Sequence, residues 1–231
     1  MKIAILETGA PPGRLRNVFG TYPAMLREIL AGAGDFTTFD VQNGDYPADP
    51  TAFAAQLITG SPAGVYDDLP WIAPLLGYLA AVKGKTKLVG VCFGHQAMAQ
   101  AFGGQVIKSP KGFGLGRHSY RVEHRAPWMA QGGEAVSVAV SHQDQVVALP
   151  PGTTVLAGSE FTPFGALDYG DGAVSFQQHP EFDTPFAKAL IEFRRGRPLT
   201  EAQVETAIDS FEIAHDDRAV MTGWIRNFLN D

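Results

Sequence analysis

The chain has 231 residues, 45% hydrophobic and 18% charged, with a formal net charge of −6. That length and composition fit one α/β domain of generous size and exclude a disordered polymer, while the acidic balance argues against a nucleic-acid or anionic-membrane surface, which needs a basic face. The single cysteine rules out an internal disulfide and a four-cysteine zinc site, leaving an inert buried thiol, an intermolecular thiol or a nucleophile.

Four apolar residues between Met1-Lys2 and Glu7 are too few for an export signal, and no apolar stretch reaches the length of a membrane span. The expected location is the cytoplasm. Residues 2–6 (KIAIL) read as a buried parallel strand. In residues 21–31, Met25, Leu26, Ile29 and Leu30 have the spacing of an amphipathic helix. Strands are expected at 36–41 and 56–59, the latter ended by the turn signal Gly60-Ser61-Pro62-Ala63-Gly64. A helix is expected over 70–82, with Pro74 able to kink its first turns. A fourth strand at 87–91 runs into Cys92-Phe93-Gly94 and a helix over 95–101, which Gly103-Gly104 ends by an αL conformation.

This βαβα order predicts a parallel sheet with helices on both faces. Between residues 105 and 176, β-favouring runs at 119–123, 135–141, 154–158 and 173–176 alternate with turns. They predict antiparallel additions to the sheet or a small flanking β layer. Helices follow at 185–195, 201–211 and 218–229. The reading is one domain over residues 1–231, with a helical tail from about 198.

The lone thiol stands in Gly90-Val91-Cys92-Phe93-Gly94, the spacing of a nucleophile elbow with Cys in place of Ser. Flanking glycines allow a tight turn, and the following helix aims its positive dipole end at the sulfur, favouring thiolate. The competing reading is a small buried hydrophobe at a strand end. Downstream lies Gln177-Gln178-His179-Pro180-Glu181. Pro180 pushes His179 out of the helical region, so His179 and Glu181 project to one side, as a base and its orienter. A surface His and Glu at a strand end is the alternative for that segment taken alone.

Together with Ser141-His142-Gln143-Asp144-Gln145-Val146, these motifs, in this order, resemble the class I glutamine amidotransferase family over residues 1 to about 195. The form most similar is the stand-alone counterpart of the amidotransferase domain of GMP synthase. The resemblance implies an open, mostly parallel flavodoxin-like α/β sheet with antiparallel additions. It implies that Cys92 attacks the carboxamide of glutamine to form a γ-glutamyl thioester, His179 manages the protons and Glu181 orients His179. It further implies an oxyanion hole from the backbone N–H groups of Gly60 and Phe93, and a substrate pocket lined by Gln96, Ser141, His142 and Gln143. The family more often has Phe before the His, where this chain has Gln177-Gln178, beside the triad rather than in it.

No cofactor is expected, and the six histidines lack any short metal-ligand spacing, so no metal is expected either. His95 reads as a packed neighbour of Cys92. Gly112-Phe113-Gly114-Leu115-Gly116 lacks dinucleotide spacing and reads as a flexible loop near the site. Arg194-Arg195-Gly196-Arg197 reads as a helix C-terminus, where cations complement the dipole.

Three functions are compatible with these residues. The first hydrolyses glutamine, its ammonia going to a separate synthetase, since no P-loop or synthetase pattern follows residue 195. The second hydrolyses γ-glutamyl peptides or conjugates through the same thioester. The third is a binding protein without turnover, which the intact Cys92, His179 and Glu181 disfavour. The expected small-molecule partner is glutamine or another γ-glutamyl compound, with no nucleic acid and no membrane. Tyr66, Phe113 and the loop at 11–21 are expected to set the room around the leaving group.

Overall fold

Strand and helix alternate through the first hundred residues because short β-branched, fully apolar runs alternate with amphipathic ones. The computed structural model describes residues 1–231 and begins with β1 (Lys2–Glu7), α1 (Gly13–Phe19), α2 (Tyr22–Ile29) and β2 (Asp35–Asp40). It continues with β3 (Ala55–Ile58), α3 (Ile72–Val82), β4 (Lys87–Val91) and α4 (Phe93–Ala101). The β-rich middle holds β5 (Gln105–Lys108), β6 (Gly114–Val122), β7 (Ala135–His142), β8 (Asp144–Ala148), β9 (Thr154–Gly158), β10 (Ala166–Asp168) and β11 (Ala173–Phe176). Helices α5 (Thr184–Phe193), α6 (Glu201–Ile213) and α7 (Arg218–Asn230) close the chain. No helix is long and apolar enough to cross a membrane.

One nine-stranded sheet has the order β2-β1-β3-β4-β11-β10-β9-β6-β7. Strands β2 through β11 in that order run parallel, and the pairings from β11 through β7 are antiparallel. Strands β5 and β8 form a separate antiparallel pair. Both kinds of addition expected from the middle segment are therefore present.

The run at 173–176 differs from its expected place among the additions: β11 is a central parallel strand in register with β4, Val91 opposite Phe176. Its four residues are all buried, as a strand covered on both faces requires.

Side-chain alternation sorts the core into layers. Ile3, Ile5, Val89, Val91, Val174 and Phe176 face α2 and α7. Leu6, Ile58 and Leu88 face α3 and α4 on the other side. A third cluster joins α2, α5 and α6 through Tyr22, Phe186 and Phe211.

The last helices are bound to the rest of the chain. Trp224 of α7 is fully buried and donates from Nε1 to the Gln131 carbonyl (2.7 Å). Arg117 of β6 donates to the Phe211 and Ala214 carbonyls (3.0 Å each) and to Asp216 (2.8 Å).

Several local expectations change. Residues 11–21 are not one loop, because α1 forms there with Pro12 as its N-cap. Pro74 is the third residue of α3, in the first turn, where its missing N–H is no loss. Helix α4 starts at Phe93, two residues earlier than expected, so Cys92 itself is its N-cap. The 112–116 glycine segment is not a free loop, since Gly114 opens β6. Gly103 takes the positive φ (99°) that ends α4, and Gly104 does not.

Candidate active site

The C-terminal ends of parallel strands share one edge, and side chains carried there converge. Cys92 follows β4, His179 lies three residues after β11, and Gly60 lies two residues after β3. Cys92 has φ 52° and ψ −102°, a conformation that costs a non-glycine residue about 1–3 kcal/mol. The elbow is held by close packing. A Cβ on Gly90 would lie 2.5 Å from the Gly94 carbonyl oxygen, and one on Gly94 would lie 2.4 Å from that of Ile58. Larger residues at either position would push α4 off the strands.

His179 Nδ1–H donates to Glu181 Oε1 at 2.8 Å, with both residues only 3% exposed. That bond commits Nδ1 and leaves the other ring nitrogen free on a ring that shares the cleft with Cys92. The imidazole stacks flat on Phe182, centroids 3.8 Å apart and planes 6° apart, and Phe182 stacks in turn on Tyr22. On the other side a Cβ at Gly60 would sit 3.2 Å from His179 Cε1, so only glycine leaves the ring its place. Burial alone would lower the His179 pKa. The Cys92 thiolate and the Glu181 carboxylate outweigh it and raise the pKa to about 10. His179 is therefore held as imidazolium at neutral pH.

The Gly60 turn is tied to the end of β1, where Thr8 Oγ1 donates to the Thr59 carbonyl at 2.9 Å and contacts the Gly60 carbonyl at 3.1 Å. The Gly60 backbone N–H donates to no protein group. Phe93 opens α4, where first-turn N–H groups lack intrahelical partners. Two backbone donors, one in the turn that adjoins Cys92 and one in the next residue, thus have their hydrogens uncommitted.

Two arms of one cleft meet at Cys92. The larger, about 290 Å³, is lined by Gln96, Ser141, His142 and Gln143, the residues expected for the pocket. It also carries Asp67, Asp144 and Lys108. Gln96 Nε2 donates to the Asp144 carbonyl (3.0 Å) and to Gln177 Oε1 (3.1 Å). Gln177 thereby steadies Gln96. The smaller arm, about 200 Å³, runs along His179 between Pro12, Tyr22, Phe182 and Leu190. Arg194, at the C-cap of α5, borders both arms and donates from Nη1 to Ser141 Oγ at 2.7 Å.

Tyr66 and Phe113 line the larger arm, away from His179, where Tyr66 donates to Asp144 Oδ1 (2.8 Å). Their expected partnership with residues 11–21 around one leaving-group space is not found: that segment contributes Pro12 to the other arm. Arg195 fits a helix end, paired with Glu192 and Glu205, but Arg194 turns into the cleft. Phe182 adjoins the His-Pro-Glu motif and was open to suspicion on that ground; nothing in the sequence separates Arg194 from its basic neighbours.

Two further histidines near the site stay neutral. His95 is fully buried, its Nδ1 sharing a hydrogen bond with Ser175 Oγ (2.8 Å), and desolvation lowers its pKa to about 3. His142 donates from Nδ1 to the Asp144 carbonyl (3.1 Å), and desolvation again lowers its pKa to about 3. Neither can exchange protons in turnover near neutrality.

These shifts set the pH dependence of stability. The part due to neutral His95 and His142 is present above the unfolded-state pKa near 6.5 and is lost as pH falls toward 3. The slope is about 1.4 kcal/mol per pH unit for each. The His179 contribution is complete below about 6.5 and is lost as pH rises through 10. Urea midpoints measured from pH 5 to 10 are expected to peak near pH 6.5; a flat profile between 5 and 6.5 would contradict the buried neutral state of the two histidines.

Known proteins of one family resemble this chain in sequence and in fold. The family model described as glutamine amidotransferase class-I matches residues 37–194. The chain is 28% identical to γ-glutamyl peptidase 3 of Arabidopsis thaliana, over 93% of this chain and 91% of that protein. It is 37% identical to the glutamine-hydrolyzing GMP synthase of Corynebacterium jeikeium, over 58% of this chain and 26% of the synthase. Among solved structures, a glutamine amidotransferase from Thermotoga maritima superposes with a TM-score of 0.77 at 17% identity, covering 99% of this chain and 98% of that one.

Proposed function

The chain belongs to the class I glutamine amidotransferase family, and from that premise we propose that Cys92, His179 and Glu181 act as a triad that hydrolyses the γ-carboxamide of glutamine through a γ-glutamyl thioester. The observation that carries this reading is His179 itself, buried between the Cys92 sulfur and Glu181 Oε1 with its pKa raised to about 10 by both. The thiolate attacks the γ-carbonyl carbon, and the oxyanion that forms is met by the Gly60 and Phe93 N–H groups. Such donors act mainly on transition-state charge. His179 protonates the departing nitrogen and then takes a proton from the water that breaks the thioester. In the larger arm the acids and Lys108 face the α-ammonium and α-carboxylate of the glutamyl group, with Gln96, Ser141, His142 and Gln143 around its stem. Ammonia released in this way is available to a separate synthetase.

A second reading replaces ammonia by a larger amine, so that the same triad hydrolyses γ-glutamyl peptides. The apolar arm beside His179 favours it, because ammonia needs no such wall. The end-to-end likeness to a γ-glutamyl peptidase favours it as well, whereas the likeness to GMP synthase covers only 26% of that protein.

Both readings rest on an acyl-enzyme at Cys92. A glutamine-mimicking chloroketone is expected to add one equivalent of label, at Cys92, and glutamine or a γ-glutamyl dipeptide is expected to protect against it. Ammonia release from glutamine and amine release from the dipeptide, measured on one preparation, then rank the two. Label at another residue, or no release from either compound, would defeat the assignment.

A further inference from the structure

The two arms of the cleft differ in charge. The larger holds both signs, Asp67 and Asp144 with Lys108, and is bordered by Arg194, as the zwitterionic end of a glutamyl group demands. Around the smaller, the residues are apolar or neutral apart from His179 and Arg194. His179 donates the proton that the departing nitrogen needs, so the smaller arm is where the leaving amine lies.

Arg194 forms no ion pair and donates instead to the neutral Ser141 hydroxyl at 2.7 Å. This contrasts with the next residue, Arg195, which pairs with Glu192 and Glu205, and with Arg117, which pairs with Asp216. Leu190 stands one helical turn before Arg194 on α5, so the apolar wall and the cation are presented by one helix face. Tyr22 and Phe182, stacked at 5.7 Å, form the opposite apolar surface. A half-buried guanidinium lacking a carboxylate, beside an apolar wall, is suited to a carboxylate on an otherwise apolar ligand.

We propose that Arg194 is a specificity-determining residue that binds the α-carboxylate of the leaving amino acid, making this a hydrolase of γ-glutamyl amino acids whose leaving residue has an apolar side chain. This rests on the second reading above. The S–C bond forms as thiolate attacks, and the C–N bond then breaks with the His179 proton passing to the leaving amine. Water afterwards breaks the S–C bond, its hydroxyl staying on the glutamyl carbonyl and its proton returning to His179. Glutamate and a free apolar amino acid are the products. Arg194 takes no part in these steps; it holds the leaving residue in line with His179.

The test compares kcat/KM for γ-glutamyl-leucine, γ-glutamyl-leucinamide and glutamine on the full chain. The acid is expected to exceed the amide by about tenfold or more, the usual worth of a charge-assisted hydrogen bond. Arg194→Gln is expected to bring that ratio to within about twofold of one, through KM for the acid, and Arg194→Lys to retain part of it. Because each protein is compared with itself across two substrates, a general loss of activity does not imitate the effect. If Arg194→Gln does not fold, the ratio in the unmodified protein decides alone.

Equal cleavage of acid and amide by the unmodified protein would overturn the proposal. So would an unchanged ratio in Arg194→Gln, which places the guanidinium on the glutamyl side. Cleavage of glutamine with neither dipeptide overturns the proposal while the glutaminase reading stands. No cleavage of any of the three overturns the γ-glutamyl hydrolase reading itself.

Discussion

Cys92→Ala is expected to lower turnover of glutamine and of γ-glutamyl dipeptides by at least about 10⁴-fold while leaving the chain folded. The side chain is small, and alanine keeps the Cβ, so the φ of 52° at the elbow carries the same strain in both proteins. Loss of the sulfur removes one of the two anions that raise the His179 pKa, but Glu181 remains as its partner. Stability is therefore expected to change by only about 1 kcal/mol. Ammonia release followed under single-turnover conditions, with a urea midpoint on the same sample, separates chemistry from folding. Turnover above a few per cent of the parent would mean that another group opens the γ-carboxamide.

Glu181→Gln is expected to cost about 10²–10⁴ in kcat. The amide oxygen can still accept from His179 Nδ1–H, now 2.8 Å from the carboxylate, so the ring keeps its place on Phe182. The charge is what goes. Glu181 is one of the two groups that raise the His179 pKa to about 10, and removing a neighbouring opposite charge lowers a raised pKa by about 1–3 units. The sign follows directly. Imidazolium is lost as pH rises, so the alkaline limb of kcat/KM moves to lower pH in the variant. A profile measured from pH 6 to 10.5 checks it, and an alkaline limb at the parental position would show that Glu181 does not hold the proton.

The parts of this site that were legible in the sequence are those with local causes. Gly90 and Gly94 flank Cys92 because the backbone at those points meets another carbonyl oxygen within 2.6 Å of where a Cβ would be, and such a need leaves glycines at fixed spacing. Pro180 constrains its neighbour, which makes the His179–Glu181 pairing readable from a tripeptide. The parallel half of the sheet was legible as buried runs alternating with amphipathic helices.

What was illegible depends on distant packing. Four buried residues at 173–176 look the same whether their neighbour runs parallel or antiparallel, so the insertion of β11 beside β4 has no local mark. Arg194 differs from Arg195 only in which way the end of α5 turns, and that is set by the contacts of α5 with β7 and α6. The two-armed cleft is a property of eight separate stretches of the chain at once and has no signature in any of them.

That late insertion has a consequence for the order in which the chain becomes reactive. Synthesis delivers Cys92 long before residues 173–176, which pair with the cysteine's own strand and carry the proposed base, His179, into place. Until β11 pairs with β4, Cys92 has neither His179 nor Glu181 as a neighbour. A growing or truncated chain ending before β11 therefore carries Cys92 without the other two members of the proposed triad. On the triad reading, the reactive site is assembled only when the sheet is complete.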